Sequence, residues 1–417
     1  GQFIPSELNL LLGYMQHAIY PREFAAPETE IKSKDIHLNI AIDKYTPLYK
    51  EIIGQMQFDS IQAALDYNHA TGKLSGDAYL NQFVYDVVTT PYIHFTFKNG
   101  GIQTPVNFAV NTEGFYQNDS VLFNVLNANG YVTPEAIIFE TTAQRGTVLD
   151  LALAGRLIYQ NDSAQVYVDD SRVNIYNEKW ILRESRTPNL IYHDGITELR
   201  SLDFRNGEQI LYVDASIGNQ ADKMNIFLEK FQLDNLNPFL TGFDLSFQGL
   251  MTEGYIDVSD REGYPIIETS INIEDLQMDN DTLGDLKLLS ENTSGLYAVD
   301  IQGNIKNGLL NDLEILGKID FEDKKSPLDL SLKTRKSSIK PFEKYLSGLA
   351  SNISGYSYTD ISISGPLTSP QLKGEIRLDS LNFMVDYLQT SYNGNATVDV
   401  DYNQFELSSA TLYDRFG

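Results

Sequence analysis

The sequence predicts an all-β protein: an elongated, mainly antiparallel, curled sheet forming a groove, with a few short amphipathic helices as lids. Three observations carry that expectation. Apolar residues recur at every second position along much of the chain, and clusters of turn-forming residues separate the runs. Aromatic usage favours Tyr and Phe (25 and 21) over Trp (1), a bias of strands. The pattern is plainest at residues 360–383, DISISGPLTSPQLKGEIRLDSLNF. Ile361 and Ile363, then Leu372, Gly374, Ile376 and Leu378, fall in one register. Asp360, Ser362, Ser364, Lys373, Glu375 and Arg377 fall in the other, around a corner with Gly365-Pro366 and Ser369-Pro370. Period two over a short run marks a half-buried strand, and a wet second face marks antiparallel pairing.

In chain order, residues 5–20 come first, with Leu8, Leu11, Leu12, Met15 and Ile19 on a helical stripe that Pro21 ends. Strand alternation follows at Leu38/Ile40/Ile42, Phe243/Leu245/Phe247, Val299/Ile301/Gly303/Ile305, Leu313/Ile315/Gly317/Ile319 and Leu328/Leu330/Leu332. Turns are expected at KNGG (98–101), NANG (127–130), FRNGEQ (204–209), NISGYS (352–357) and YNGN (392–395). Residues 235–241 can supply one helical turn. Residues 338–351 group Phe342, Tyr345, Leu346 and Leu349 behind a serine cap and an early proline, where proline is tolerated. A loose repeat of glycine-bearing strand, turn and polar-tipped strand recurs at 149–162, 243–260, 297–323 and 358–380. Units that cannot bury their apolar faces alone form stacked arrays. At about ten residues per strand and turn, the chain would hold roughly 35 strands. Residues 1–225 read as the N-terminal part of a continuous groove beginning with a short helix, and 226–417 as groove repeats with a helix near 338–351. No hard boundary separates them. The start GQFIPSELN and the end TLYDRFG read as the limits of a central segment of a longer chain.

Lys+Arg number 31 against Asp+Glu 57, a net charge of -26. That balance opposes nucleic-acid binding and electrostatic docking on anionic lipid, which need basic patches. The lack of cysteine (Cys 0) removes disulfides, thiolate metal sites and cysteine nucleophiles. His17, His37, His69, His94 and His193 have no second histidine at ligand spacing. DLQMDNDTLGDL (275–286) is rich in carboxylates, but Leu283 stands where a calcium loop needs an oxygen ligand and Ser290 where it needs a bidentate glutamate, so it reads as a solvated turn. No nucleophile elbow, phosphate loop or dinucleotide fingerprint occurs. The expectation is a protein that is not an enzyme and needs no metal or cofactor.

The pairing of IKPFEKYLSGLASNISG with YTDISISGPLTSPQLKGEIRL resembles the TamB family of translocation and assembly proteins, relatives of the AsmA-like proteins. Their phrase is a short helix, a strand ending in a small-residue corner, a proline, and a strand opening on Pro-x-Leu-x-Gly. Here Ile361, Ile363, Gly365, Pro370, Leu372 and Gly374 match it. ELSSATLYDRFG (406–417) resembles that family's closing phrase, and residues 227–258 an earlier copy. The likeness spans roughly 225–417; before it only the strand rhythm agrees. The resemblance implies a periplasmic protein spanning between inner and outer membranes, with an inner-membrane anchor helix and a BamA-like (TamA-type) outer-membrane barrel partner, both met by segments outside this chain. It implies a role in outer-membrane biogenesis, with phospholipids as cargo rather than cofactor and nascent outer-membrane proteins as further clients.

Groove-lining candidates are Phe243, Leu245, Phe247, Val299, Ile301, Leu313, Ile315, Leu328, Leu330, Ile361, Ile363, Leu372, Ile376 and Leu378. A long one-faced sheet must cover its apolar side or let something fill it, and an aliphatic, uncharged lining suits acyl chains. The triplet Asp-Ser/Thr-apolar resembles a periplasmic O-glycosylation pattern of the Bacteroidetes, with acceptors at Ser60, Ser120, Ser163, Thr282 and Ser380; Asp-Ser is also an ordinary turn pair. The alternatives are an ordinary core between two sheets and a structural or adhesive β-solenoid without a lipid conduit. An outer-membrane barrel needs strands of about 9–11 residues, and most apolar runs here are shorter.

Overall fold

The computed structural model describes residues 10, 13–14, 16–17, 24–29, 35–45, 56–85, 88–101, 104–117, 120–146, 149–160, 162–175, 178–218, 222–239, 246–261, 263–279, 281–292 and 297–414. The chain is all-β and divides into two units, Gly1–Asn206 and Gly207–Gly417. The described residues form 26 strands, fewer than the sequence spacing implies. The shortfall arises because strands run through positions that read as turns.

Unit 1 contains β1 (Asp35–Asp43), β2 (Met56–Gln57), β3 (Ser60–Asn68), β4 (Lys73–Tyr85), β5 (Val88–Lys98), β6 (Val106–Gln117) and β7 (Ser120–Val132). It continues through β8 (Ile137–Arg145), β9 (Leu149–Gln160), β10 (Ser163–Val168), β11 (Ser171–Ile175), β12 (Glu178–Leu182), β13 (Leu190–His193) and β14 (Ile196–Asn206). From β3 to β9 each strand lies antiparallel to the next. β1 pairs with β3, and the short β2 with β4. β10 and β11 share the same edge of β9, separated by a kink at Asp169-Asp170. Beyond them, residues 183–189 leave the sheet between β12 and β13. Asn189, 1% exposed, pins that excursion: its side-chain oxygen accepts from the Val168 amide at 2.9 Å, and its backbone N–H donates to Val166 O at 2.8 Å.

Unit 2 contains β15 (Gln209–Ile217), β16 (Lys223–Gln232), β17 (Phe247–Arg261), β18 (Tyr264–Met278), β19 (Asp281–Glu291) and β20 (Ala298–Lys306). β21 (Leu313–Asp320), β22 (Leu328–Ser338), β23 (Ala350–Gly365), β24 (Gln371–Val385), β25 (Thr390–Asp401) and β26 (Gln404–Asp414) follow. Every strand is antiparallel to its sequence neighbour. The strands are 8 to 16 residues long, so the brevity of the apolar runs does not argue against a barrel. β-Bulges interrupt the register at Met251/Glu253, Ile273/Leu276, Thr334/Ser337, Ser351/Ser354 and Leu378/Leu381. Each inserts extra residues on one side of a pair, which bends the strand and increases its twist.

Three of the expected turns lie inside strands. NISGYS is the bulged stretch of β23, with Asn352 at φ 55° and Gly355 at φ 133°. YNGN lies inside β25, where Gly394 (φ 155°) is needed because a Cβ would sit 1.9 Å from Thr411 O. NANG lies inside β7, its asparagines paired across to Asn111 and Ala109. In all three, glycine serves a close backbone approach rather than a chain reversal.

Of the helical expectations, the first segment is α-helical at its described residues Leu10, Gly13, Tyr14, Gln16 and His17, while the other two are 3-10 turns at Leu233–Phe239 and Lys340–Leu346. The second starts with Pro341 in its first turn, but its N-cap is Ile339, without a side-chain capping bond. Phe342 (47%), Leu346 (43%) and Leu349 (70%) are exposed there, and it is Ile339, just before the turn, that packs on Ile353, Leu381 and Ala396 of the sheet; the Tyr345 side chain lies outside the described residues. Leu8, Leu11, Leu12, Met15 and Ile19 also lie outside the described residues. From the same segment, Leu10 and Tyr14 pack on the core cluster of Ile36, Tyr67 and Leu74.

Candidate functional site

Antiparallel pairing places directly opposed residues on the same face, so the register of unit 2 shows which side chains meet. One row runs Leu288, Gly303, Ile315, Leu332, Ile361, Gly374, Val400 across β19 to β25. The adjacent row runs Ser290, Ile301, Gly317, Leu330, Ile363, Leu372. A third joins Thr334, Thr359, Ile376 and Val398. No charged side chain stands in these three rows. The glycines alternate with Ile and Leu, and a Cβ on Gly303 would fall 3.4 Å from Leu288 and 3.7 Å from Ile315. Aliphatic side chains therefore border Gly303, whereas at Gly317 and Gly374 the neighbouring backbone itself crowds the Cβ position.

The other face is wet. Lys333 pairs with Asp360 at 3.4 Å and Lys373 with Asp401 at 3.9 Å, and the Arg377 guanidinium lies 4.5 Å from the Tyr358 ring centre. Exposed pairs of this kind contribute little stability. They do mark the solvent side, and such a charged face is unsuited to contact with lipid tails.

Of the groove-lining candidates, Val299, Leu328 and Ile361 are buried. Phe247, Ile301, Leu313, Ile315, Leu330, Ile363, Leu372, Ile376 and Leu378 are half-buried. Phe243 and Leu245 lie outside the described residues. The register brings together the candidates from β20 to β24, while Phe247 pairs with Met278 at the far end of β17. Sequence reasoning missed Leu286, Leu288, Leu332, Val398 and Val400. The alternation TVDVD announces the last two, whereas LKLLS offers Leu288 and Leu289 equally and only pairing separates them. The acceptor candidates Ser60, Ser120 and Ser163 open β3, β7 and β10, Thr282 is the second residue of β19, and Ser380 sits at a β24 bulge with φ 51°.

Ionisable groups form local clusters. His94 Nε2 lies 3.1 Å from Asp77 with Tyr79 stacked on the ring at 4.1 Å, and His37 meets Asp66. His193 bonds Glu198 at 3.3 Å and lies 3.5 Å from Asp194. The Glu198 bond, then Asp194, hold the imidazole pKa above its ordinary value, and the His193 bond holds Glu198 below its own. In the carboxylate-rich 275–286 stretch, Asp279 accepts from the Ser246 amide at 2.9 Å and pairs with Lys344, and Asp285 accepts from Asn307 at 2.8 Å. The Lys344 bond, then the Ser246 amide, depress the Asp279 pKa; the Asn307 bond leads for Asp285. Each carboxylate serves its own turn. Among the described residues no three His, Asp or Glu side chains group as a metal site, and no helix is long and apolar enough to cross a membrane.

No family model, curated protein or solved structure matches the chain.

Proposed function

We propose that the aliphatic face of β19 to β25 is a conduit for hydrocarbon, and that the protein is a TamB-like periplasmic bridge supporting phospholipid transport and outer-membrane biogenesis. The supporting observation is the combination of continuity and incomplete burial. Three cross-strand rows carry no charge, yet nine of the described lining candidates remain half-buried. In a closed sandwich they would be sealed by a second layer. Apolar surface left in water costs about 25 cal/mol per Å², so hydrocarbon laid along these rows is favoured over solvent. Scarce polar groups leave an acyl chain nothing to stop at. Nascent outer-membrane strands are a second client class, and the TamB-like reading implies a BamA-like barrel as partner.

The test is lipid mass spectrometry on the chain purified without detergent, beside the double variant Ile363→Asp/Ile376→Asp. The expected result is several phospholipids per wild-type chain and a loss of most of them in the variant, which keeps its β-sheet circular dichroism. Charge in the rows must be desolvated when lipid enters. A lipid-free, monodisperse wild type refutes the conduit, and a variant that unfolds identifies the face as a core.

A further inference from the structure

The wet face of unit 2 carries a feature that lipid transport does not use. A depression of about 750 Å³ opens across β17 to β22. Along its floor the register aligns Tyr255, Ser270, Leu289, Gln302 and Leu316. Tyr255 (38%), Leu289 (49%) and Leu316 (39%) are the large apolar residues exposed among the described residues 247–338. All three fall in this one row, on alternate strands.

The flanks of the row differ. Two residues along the strands on one side stand Asp257, Glu268, Glu291, Asp300, Lys318 and Asp329. On the other stand Glu253, Asn272, Lys287, Asn304, Glu314 and Lys333, where the charges cancel. On the acidic side Asp257 is joined to Lys223 at 3.5 Å, and Lys318 approaches Asp320 at 4.0 Å. Glu268, Glu291 and Asp329 are exposed and enter no ion pair among the described residues.

From this geometry we infer that the depression binds a basic amphipathic helix of a partner protein. Strands two apart are separated by about 9.6 Å, which spaces Tyr255, Leu289 and Leu316. An α-helix advances about 10.5 Å in seven residues, so apolar residues at every seventh position land on all three. An extended peptide repeats its same-face residues at about 6.8 Å and misses them. Lysines or arginines on one flank of the helix then face Glu268, Glu291, Asp300 and Asp329. The one-sided charge also fixes the direction in which the helix lies.

Fluorescence anisotropy on the full chain tests this with a labelled helical peptide carrying leucine at every seventh position and lysine along one flank. The peptide binds, and its counterpart with glutamate on that flank does not. Glu268→Lys/Glu291→Lys weakens binding about tenfold or more, since two attractive pairs become repulsive. Leu289→Ser/Leu316→Ser weakens it comparably. A control reversal on distant strands, Asp399→Lys/Glu406→Lys, changes it less than about twofold. Failure of the wild type to bind, equal binding of the two peptides, or an equal loss in the control overturns the assignment. These positions are exposed, and should the leucine variant fold poorly, the charge reversals and the peptide swap decide.

Discussion

In unit 1 the glycines of the apolar register lie under aromatic rings; in unit 2 they lie between aliphatic side chains. A Cβ on Gly76 would meet the Phe97 ring at 2.3 Å, and one on Gly155 the Phe139 ring at 3.1 Å. The row Phe97, Phe108, Gly130, Phe139, Gly155 repeats this arrangement from β5 to β9. In unit 2 the corresponding partners are Leu288, Ile315, Leu330 and Ile361. Flat rings cover glycine and stiffen the sheet surface, whereas branched aliphatic chains leave a smoother, chemically uniform face. The difference teaches that one strand rhythm can serve two surfaces, one packed around rings and one around aliphatic chains.

The sharpest way to break the comparison is at glycines with different backbone needs. Gly317 sits at φ 145°, with Asp329 O 2.1 Å from the Cβ position. Gly317→Val should cost about 3 kcal/mol or more, read as lost exchange protection over β20 to β23. Gly303→Ala, in open contact, should change stability by less than about 1 kcal/mol. Equal effects would mean that the close backbone approach at Gly317 is not what selects glycine.

A smaller effect sharpens the unit 1 side. Gly76→Ala should cost about 2 kcal/mol because the Phe97 ring occupies the new methyl's place. Combined with Phe97→Leu, the cost should be less than the sum, a coupling near 1 kcal/mol in chemical denaturation. Strict additivity would remove the ring-over-glycine account.

The smallest effects concern pH, with opposite signs in the two units. Asp279 has a depressed pKa, so its clasp on Ser246 and Lys344 stabilises unit 2 above the ordinary value of 3.8. That contribution is lost as pH falls through the lowered folded value. His193 has a raised pKa, so its contribution in unit 1 is complete below 6.5 and is lost as pH rises through the folded value. Exchange protection around β13–β14, after correction for the intrinsic base-catalysed rate, should fall on going from acid to alkaline pH, and Asp279→Asn should flatten the acid limb near Ser246. The reverse order would contradict the assigned partners.

Much of this was legible in the sequence. Period-two alternation located β20 to β24, and Gly365-Pro366 with Ser369-Pro370 marked the corner between β23 and β24. The bulges were not legible. Asn352, Gly355 and Gly394 carry turn chemistry, yet pairing with a long neighbour strand recruits them into the sheet. The face of Leu288 against Leu289, and hence the row containing Tyr255, depended on a register that local composition does not encode. Ile301, Ile315, Leu330, Ile361, Ile363, Leu372 and Ile376 of the aliphatic rows could be listed from the sequence; their degree of exposure could not, because burial is a property of what lies opposite.

The neighbour-to-neighbour pairing of β15 through β26 bears on how the chain acquires its structure. Each strand needs only the one before it, so loop closure is short at every step and contact order stays low within the unit. A bare hairpin is marginal, but each added strand extends a template already in place. Unit 2 can therefore assemble like a zip as the polypeptide arrives, without waiting for a distant segment to be made.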